Sequence, residues 1–248
     1  MKLSFVIPAH NEEAYISKCL SSILAEVKRN SYDYEIIVVN NSSTDNTKAI
    51  ALKFVGVKVV DEPKKGITWA RQAGYLAACG DLIANVDADN VIPKDWMNIV
   101  FREFIADNEV IGLSGPYKYY DLSWLINIEV KIFYILGYLT YLMNQYIFGS
   151  GSMLQGGNFV VRKSALDRIG GYNLDIDFYG EDTDVARRLQ KVGDVKFTFD
   201  LPMFSSGRRL SKDGILVSGC RYAINYFWVL IFKRPFSKES IDIRSDDI

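Results

Sequence analysis

Lys2-Leu3-Ser4-Phe5-Val6-Ile7-Pro8-Ala9-His10-Asn11-Glu12 opens the chain with an apolar run that gives way at once to polar residues. A run of this kind between polar flanks predicts a buried strand over residues 2–9. From Glu12 to about Lys28, the residues Ile16, Leu20, Ile23, Leu24 and Val27 recur at helical spacing, so a helix is predicted directly afterwards. The same alternation then repeats. Tyr34 to Val39 reads as a strand, and the polar cluster Asn40-Asn41-Ser42-Ser43-Thr44-Asp45 turns into a helix through Ala49, Leu52 and Phe54. Val57 to Val60 is a third strand, Gly66 to Cys79 a helix closed by Gly80, and Leu82 to Val86 a fourth strand. Pro93 suits the first turn of a helix that reaches Ala106.

Strands alternating with helices predict an α/β fold: a Rossmann-like, mostly parallel sheet flanked by helices, with ligands bound beyond the carboxyl ends of the strands. Three polar loops fall at those ends, His10-Asn11-Glu12, Asn40 to Asp45 and Asp87 to Asp89, and they are expected to face one crevice. After Tyr120 the alternation gives way to an aromatic, helix-prone segment. A strand from Asn158 to Val161, a short helix from Ser164 to Gly170-Gly171 and an acidic turn follow, and this mixed second half is expected to form the other wall. No repeat or Pro/Gly-rich linker marks a boundary. One catalytic domain is expected over residues 1–215, with an apolar helix and a partly ordered tail over 216–248.

The chain has 248 residues and a formal net charge of -1, which supplies no general attraction for nucleic acid. Cys19, Cys79 and Cys220 are odd in number and widely spaced, and are expected to be buried cytosolic thiols. The apolar start is too short for a signal peptide, so a cytoplasmic location is expected. Ile132 to Met143 is densely apolar, but a dozen residues fall short of the roughly 20 needed to cross a bilayer. Aromatic residues crowd this region (Tyr119, Tyr120, Trp124, Phe133, Tyr134, Tyr138, Tyr141, Tyr146, Phe148) and a second one (Tyr222, Tyr226, Phe227, Trp228, Phe232) ahead of Lys233-Arg234. Two readings stand open: helices packed on the core, or peripheral contact with the cytoplasmic face of a membrane.

Asp87-Ala88-Asp89, directly after the fourth strand, places two carboxylates at a strand exit. Oxygen ligands of this kind suit Mg2+ or Mn2+, which typically take one or two carboxylates together with substrate phosphates, so a diphosphate is the expected partner. A helix cap or solvated turn is the plainer alternative. In the later acidic turn, Asp184 has Arg187 and Arg188 three and four residues on, the spacing of an ordinary helix ion pair, whereas Asp182 has Val185 and Ala186 there. Asp182 is therefore the better candidate for a free base. His10, the sole histidine, is expected to be an ordinary polar residue.

Taken in order, Val6-Ile7-Pro8-Ala9-His10-Asn11-Glu12, Ile36 to Asp45, Asp87-Ala88-Asp89 and Gly180-Glu181-Asp182-Thr183-Asp184 resemble the family 2 glycosyltransferases of the GT-A fold over roughly residues 3–210. Lys65-Gly66 with Ala70-Arg71, Gly156-Gly157-Asn158 and Ser206-Gly207-Arg208-Arg209-Leu210 are similar to further segments of that family. The resemblance implies that Pro8, Ala9 and Glu12 line a nucleotide pocket. It implies that Asn40 meets the base where the family commonly has an aspartate. An amide both donates and accepts, which favours UDP slightly over GDP. It further implies a diphosphate near Lys65 and Arg71, substrate contacts at Ala88, Gly157 and Asn158, Asp89 as the metal ligand, and Asp87 on ribose or water. Glu181 and Asp182 resemble the catalytic pair, with Asp182 taking the acceptor proton. Arg208 and Arg209 either touch the leaving group or form a solvated basic turn.

The expected activity is inverting transfer of a sugar from a nucleoside diphosphate sugar to an acceptor hydroxyl on a glycan or lipid-linked glycan. A polyprenyl-phosphate acceptor is the alternative within the class, and a catalytically silent membrane-associated interaction protein the alternative outside it. A pyrophosphorylase is disfavoured because Pro8 to Glu12 is acidic rather than a basic glycine-rich loop. Gly149-Ser150-Gly151-Ser152-Met153-Leu154 lacks the third glycine of a dinucleotide fingerprint, which disfavours a dehydrogenase.

Overall fold

The computed structural model describes residues 1–148, 153–176, 179–232 and 236. β1 (Lys2–Ala9) lies between two parallel neighbours, β2 (Asp33–Asn41) and β4 (Leu82–Val86), and β3 (Val57–Glu62) extends the parallel set beyond β2. Every residue of β1 after Lys2 is buried, which is why the strand reads as a continuous apolar run rather than an alternating one. β7 (Asn158–Arg162) pairs antiparallel with both β4 and β5 (Val110–Ser114), and β8 (Asp194–Phe197) runs parallel to β5. Among the described residues the sheet has seven strands in the order β3-β2-β1-β4-β7-β5-β8. β6 (Tyr117–Tyr119) and β9 (Met203–Ser205) form a separate parallel ribbon.

Alternate side chains of β1 enter different apolar layers. Leu3, Phe5 and Ile7 pack with Leu20 of α1 (Ile16–Val27) and Trp96 of α4 (Trp96–Ala106), while Val6 packs with Ala70 of α3 (Ile67–Ala77). Gly74 brings α3 against β1, since a Cβ there would collide with Val6. Because β1 is flanked by β2 on one side and β4 on the other, its carboxyl end is a topological switch point, where α/β sheets open a crevice.

Some predicted helix limits move for local reasons. α1 starts at Ile16 rather than Glu12, because Asn11 adopts a φ of 51° and the Glu12 amide is tied to the hydroxyl of Thr47, the first residue of α2 (Thr47–Ala51). α3 ends at Ala77 because Glu35 and Ser4 capture the amides of Cys79 and Gly80. α4 starts at Trp96, beyond Pro93. The buried Glu26 carboxylate accepts from the amides of Asp95 and Met97 and so caps that helix.

Two expectations are corrected outright. Cys19 is buried as expected but Cys79 is exposed, and the Cys220 side chain lies outside the described part. The segment expected to be too short to span a bilayer belongs to α5 (Trp124–Phe148), whose stretch Trp124–Met143 is long and apolar enough to cross a membrane, by length and composition alone. Only 17% of its most apolar window is buried. Val130, Tyr134 and Tyr141 face the core, whereas Trp124, Leu125, Ile132, Leu136 and Leu139 are exposed. The remaining helices are α6 (Lys163–Arg168), α7 (Glu181–Leu189), α8 (Arg208–Asp213) and α9 (Ile215–Phe232). The side chains of Tyr146, Phe148, Tyr222 and Phe227, and the expected tail after Phe236, lie outside the described part.

Candidate active site

At the carboxyl ends of β1 and β4 a cleft holds about 1030 Å³ of empty space, its open mouth included. β1 supplies Pro8, the following turn Glu12, α3 Arg71, and the exit of β4 Asp87, Ala88 and Asp89. The second half of the chain adds Gly156, Gly157, Glu181, Asp182, Arg208 and Arg209 to the lining. Eleven of the predicted residues therefore meet in one cavity (Pro8, Glu12, Arg71, Asp87, Ala88, Asp89, Gly157, Glu181, Asp182, Arg208 and Arg209) although they span residues 8 to 209.

Arg71 ties the two walls together. Its Nη1 lies 2.5 Å from Glu181 Oε1, and its Nη2 donates to Asp87 Oδ1 at 3.3 Å and to the Gly156 carbonyl at 2.7 Å. Burial works against its charge, but Glu181 and then Asp87 more than offset that penalty, so the guanidinium is held charged. A cation already committed to two protein carboxylates differs from the solvated diphosphate contact that the sequence implied. Its Nε is buried without a hydrogen-bond partner.

Asp87 also accepts from the Tyr117 hydroxyl at 3.3 Å, and that hydroxyl accepts from the Gly157 amide at 2.7 Å. Burial, then the charge of Asp87, pushes the Tyr117 phenol well above its usual range, so it remains a neutral donor. Gly157 must lack a side chain, since a Cβ there would strike both Asp87 and Tyr117. Asp89 Oδ2 lies 3.0 Å from Arg208 Nη2, and its carbonyl accepts from Tyr120. Among the described residues, no three His, Cys, Asp or Glu side chains gather as a metal site. The all-oxygen pair Asp87 and Asp89 nevertheless fits a hard cation of the Mg2+ type, which keeps waters and takes phosphate oxygens.

Glu181 and Asp182 start α7, where a helix N-terminus favours negative charge. Asp182 Oδ1 accepts from the Thr183 amide at 2.7 Å and the Thr183 hydroxyl at 3.3 Å. The surrounding wall pushes both carboxyls above their ordinary range by desolvation. The charge of Asp182 raises Glu181 further, while Arg71 pulls each back. Gly156 faces this group, since a Cβ there would lie 3.3 Å from Glu181 Oε1 and 3.6 Å from Asp182 Oδ2. Asp184, buried behind them, is paired with Arg187 at 2.8 Å and Arg188 at 2.7 Å, as its spacing predicted.

Four predicted residues lie outside the cleft lining. Ala9 is buried in β1. Lys65 is exposed ahead of α3. Asn40 donates to Asp61 Oδ1 at 2.9 Å, and its own Oδ1 is buried without a hydrogen-bond partner. Asn158 is fully buried and spent on structure, donating to the Gly115 and Leu201 carbonyls and accepting from Trp96. Sequence reasoning missed Tyr117, Gln155, Tyr179, Ser205 and Ser206, all in the lining, and Tyr119 of the aromatic cluster lies there too. The signal within reach was the spacing of Tyr117 and Tyr119, which puts two aromatics on one face of a strand. His10 binds the Asn41 carbonyl through Nδ1, an ordinary polar role.

An acidic exit at the switch point of a mostly parallel sheet, faced by a second acidic group across one cleft, defines the class of GT-A glycosyltransferases. The chain belongs to glycosyltransferase family 2: residues 4–170 match the family described as Glycosyl transferase family 2. It is 28% identical over 209 residues to the probable glycosyltransferase YdaM of Bacillus subtilis, covering 77% of this chain and 47% of that protein. It thus spans about half the length of that relative. In fold it is similar to the mannosyltransferase PcManGT of Pyrobaculum calidifontis, solved with GDP-Man and Mn2+, at a TM-score of 0.69, 17% identity, and coverage of 93% of this chain and 64% of that one. It is also similar to glucosyl-3-phosphoglycerate synthase of Mycobacterium tuberculosis, solved with Mn2+, UDP and phosphoglyceric acid, at a TM-score of 0.62, 19% identity, and coverage of 94% and 78%.

Proposed function

We propose that the protein transfers a sugar from a nucleoside diphosphate sugar to an acceptor hydroxyl with inversion at the anomeric carbon. The observation that carries this reading is the opposition of two carboxylate pairs in one cleft, joined by Arg71. In the proposed step Asp182 takes the proton of the acceptor hydroxyl as its oxygen bonds to the anomeric carbon, and the bond to the diphosphate breaks on the opposite side. Its raised pKa suits a base that must hold the proton it receives.

Asp89 would hold Mg2+ or Mn2+, with Asp87 on the ribose or on an ordered water. Bound there, the cation would neutralise charge growing on the departing diphosphate. Pro8, Glu12 and Ala88 would border the nucleotide, and Arg209, on the cleft wall, would meet phosphate oxygens. The slight preference for UDP over GDP rested on Asn40, and it loses that support because the amide donates to Asp61 and lies outside the cleft lining. Both solved structures described above are complexes with Mn2+, one with GDP-Man and the other with UDP, which supports the class of donor and leaves its base to experiment.

A panel of nucleotide sugars assayed for metal-dependent hydrolysis tests the reading. Release of nucleoside diphosphate from one donor, abolished by chelator, is expected; no nucleotide binding even with Mn2+ would overturn it.

A lipid-linked acceptor is proposed on one further observation, the exposed apolar surface of α5. The helix follows β6, whose Tyr117 and Tyr119 line the cleft, so a membrane against α5 would bring a lipid-linked hydroxyl near the site. On this reading the protein is cytoplasmic and peripheral on the membrane. Flotation with anionic liposomes is the test: complete absence from the lipid fraction at low salt, with a folded monomer in solution, leaves a soluble acceptor.

A further inference from the structure

The segment that follows β9 lines the cleft and inserts a guanidinium between two acids that come from distant parts of the chain. Arg208 Nη2 lies 2.6 Å from Glu12 Oε1 and 3.0 Å from Asp89 Oδ2. Its guanidinium sits over the Tyr15 ring, 4.5 Å from the centroid. The segment is anchored from a third direction, because Asp121 accepts from the Ser206 hydroxyl and from the Gly207 amide, each at 2.6 Å. Arg208 is therefore held by the Asp121 anchor against the same Asp89 carboxylate that would hold a divalent cation.

Three charges decide what this contact does. Glu12 and Asp89 carry two negative charges, and Arg208 balances one of them. Burial disfavours the guanidinium, but Asp89 and then Glu12 overcome that penalty, so it cannot leave the contact by losing a proton. A divalent cation arriving alone at Asp89 would meet a fixed positive charge bonded to the same carboxylate. It must displace Arg208 or bind against its repulsion. A diphosphate changes the balance, since its oxygens match the guanidinium fork and give Arg208 another anion to bind.

We propose that Arg208 is a positioning residue that makes cation binding and diphosphate binding depend on each other. It holds the Asp89 oxygen until a diphosphate draws it away. This rests on the nucleotide-sugar reading above and adds a thermodynamic coupling to it, which must be reciprocal: nucleotide tightens cation binding by the same factor as cation tightens nucleotide binding.

The test is titration of the full chain with Mn2+, free ion being followed by electron paramagnetic resonance, with and without UDP. For the wild type, UDP is expected to tighten Mn2+ binding by about 10-fold or more. Arg208→Gln should bind Mn2+ alone about 10-fold more tightly than the wild type, and the gain from UDP should shrink correspondingly. Arg208→Lys keeps the charge and should keep the weak binding of Mn2+ alone. Asp121→Ala leaves both acids and Arg208 in place while loosening the anchor, so it should shift Mn2+ affinity the same way by a smaller factor, and it serves where Arg208→Gln does not fold. Unchanged or weaker Mn2+ binding in both Arg208→Gln and Asp121→Ala would overturn the proposal, as would an unaltered UDP effect. If the wild type binds Mn2+ and UDP independently, the coupling alone fails. If it binds neither in the presence of the other, the nucleotide-sugar reading fails and the coupling falls with it.

Discussion

The exit of β4 and the start of α7 each present two acidic residues to the same cleft, yet their surroundings differ in charge. Asp87 and Asp89 are met by two guanidinia, Arg71 on the first and Arg208 on the second. Each of those guanidinia is shared with a further acid, Arg71 with Glu181 and Arg208 with Glu12. Among the described residues Arg71 is the guanidinium that acts on Glu181 and Asp182, paired with the first and felt by the second, and the hydrogen bonds that reach Asp182 from Thr183 are neutral. This second pair carries an excess of negative charge in a desolvated wall, and both its carboxyls are pushed upward. One residue type is thus prepared for two tasks by its neighbours, the usual route by which carboxylates divide ligand and base chemistry.

The largest effect expected from disturbing this contrast is Asp182→Asn. An amide cannot take the acceptor proton, so turnover should fall by about 100- to 10,000-fold, while calorimetry should find donor binding near that of the wild type. Turnover that survives would indicate an acceptor already ionised, such as a polyprenyl phosphate, and would remove the distinction between the pairs. Arg71→Met strikes both pairs together. It leaves Asp87 and Glu181 without their shared buried partner, which should cost about 3–5 kcal/mol of stability in urea denaturation. A loss under about 1 kcal/mol would mean that the two walls are held by other contacts. Asp89→Ala disturbs the first pair alone. Groups behind a metal ligand commonly matter by about 10- to 100-fold, so removing a direct ligand should weaken Mn2+-dependent UDP binding by about 100-fold or more in calorimetry. Unchanged binding would take Asp89 out of the metal site.

The two halves of the chain also differ in how much their sequence discloses. β1 and β4 were legible to the residue, because buried parallel strands read as unbroken apolar runs ending in polar exits. Those exits located Glu12, Asp87 and Asp89. The other wall depends on short strands paired across long separations, as Tyr117 is with Met203, and the alternation of Tyr117 and Tyr119 is the one local sign of β6. Tyr117 acquires its role only when β6 brings it to Asp87 and Gly157. Motif position likewise named Asn158, but packing gave its amide to Gly115 and Leu201. α5 was underestimated because Glu129 and Lys131 interrupt its second turn, which hid the apolar residues ahead of them.

The smallest expected effect tests whether the second pair is held under electrostatic strain. A carboxyl whose pKa is raised in the folded protein binds a proton there that the unfolded chain has already released. Stability contributed by that proton is present at low pH and is lost as pH rises out of the ordinary carboxylate range through the raised value. Asp182→Asn removes one raised carboxyl and also the negative charge that raises Glu181, while the amide oxygen can still accept from Thr183. The variant should therefore lose less stability than the wild type as pH climbs. At the acidic end of the range, below the ordinary carboxylate values, the two melting temperatures should lie close together. Near pH 8 the variant should be more stable by about 1 kcal/mol, roughly 2–4 °C for a chain of this size. The measurement is thermal unfolding followed by circular dichroism at both ends of the pH range. A difference that does not grow with pH would show that Asp182 is not held under electrostatic strain, and the two pairs would then differ in position alone.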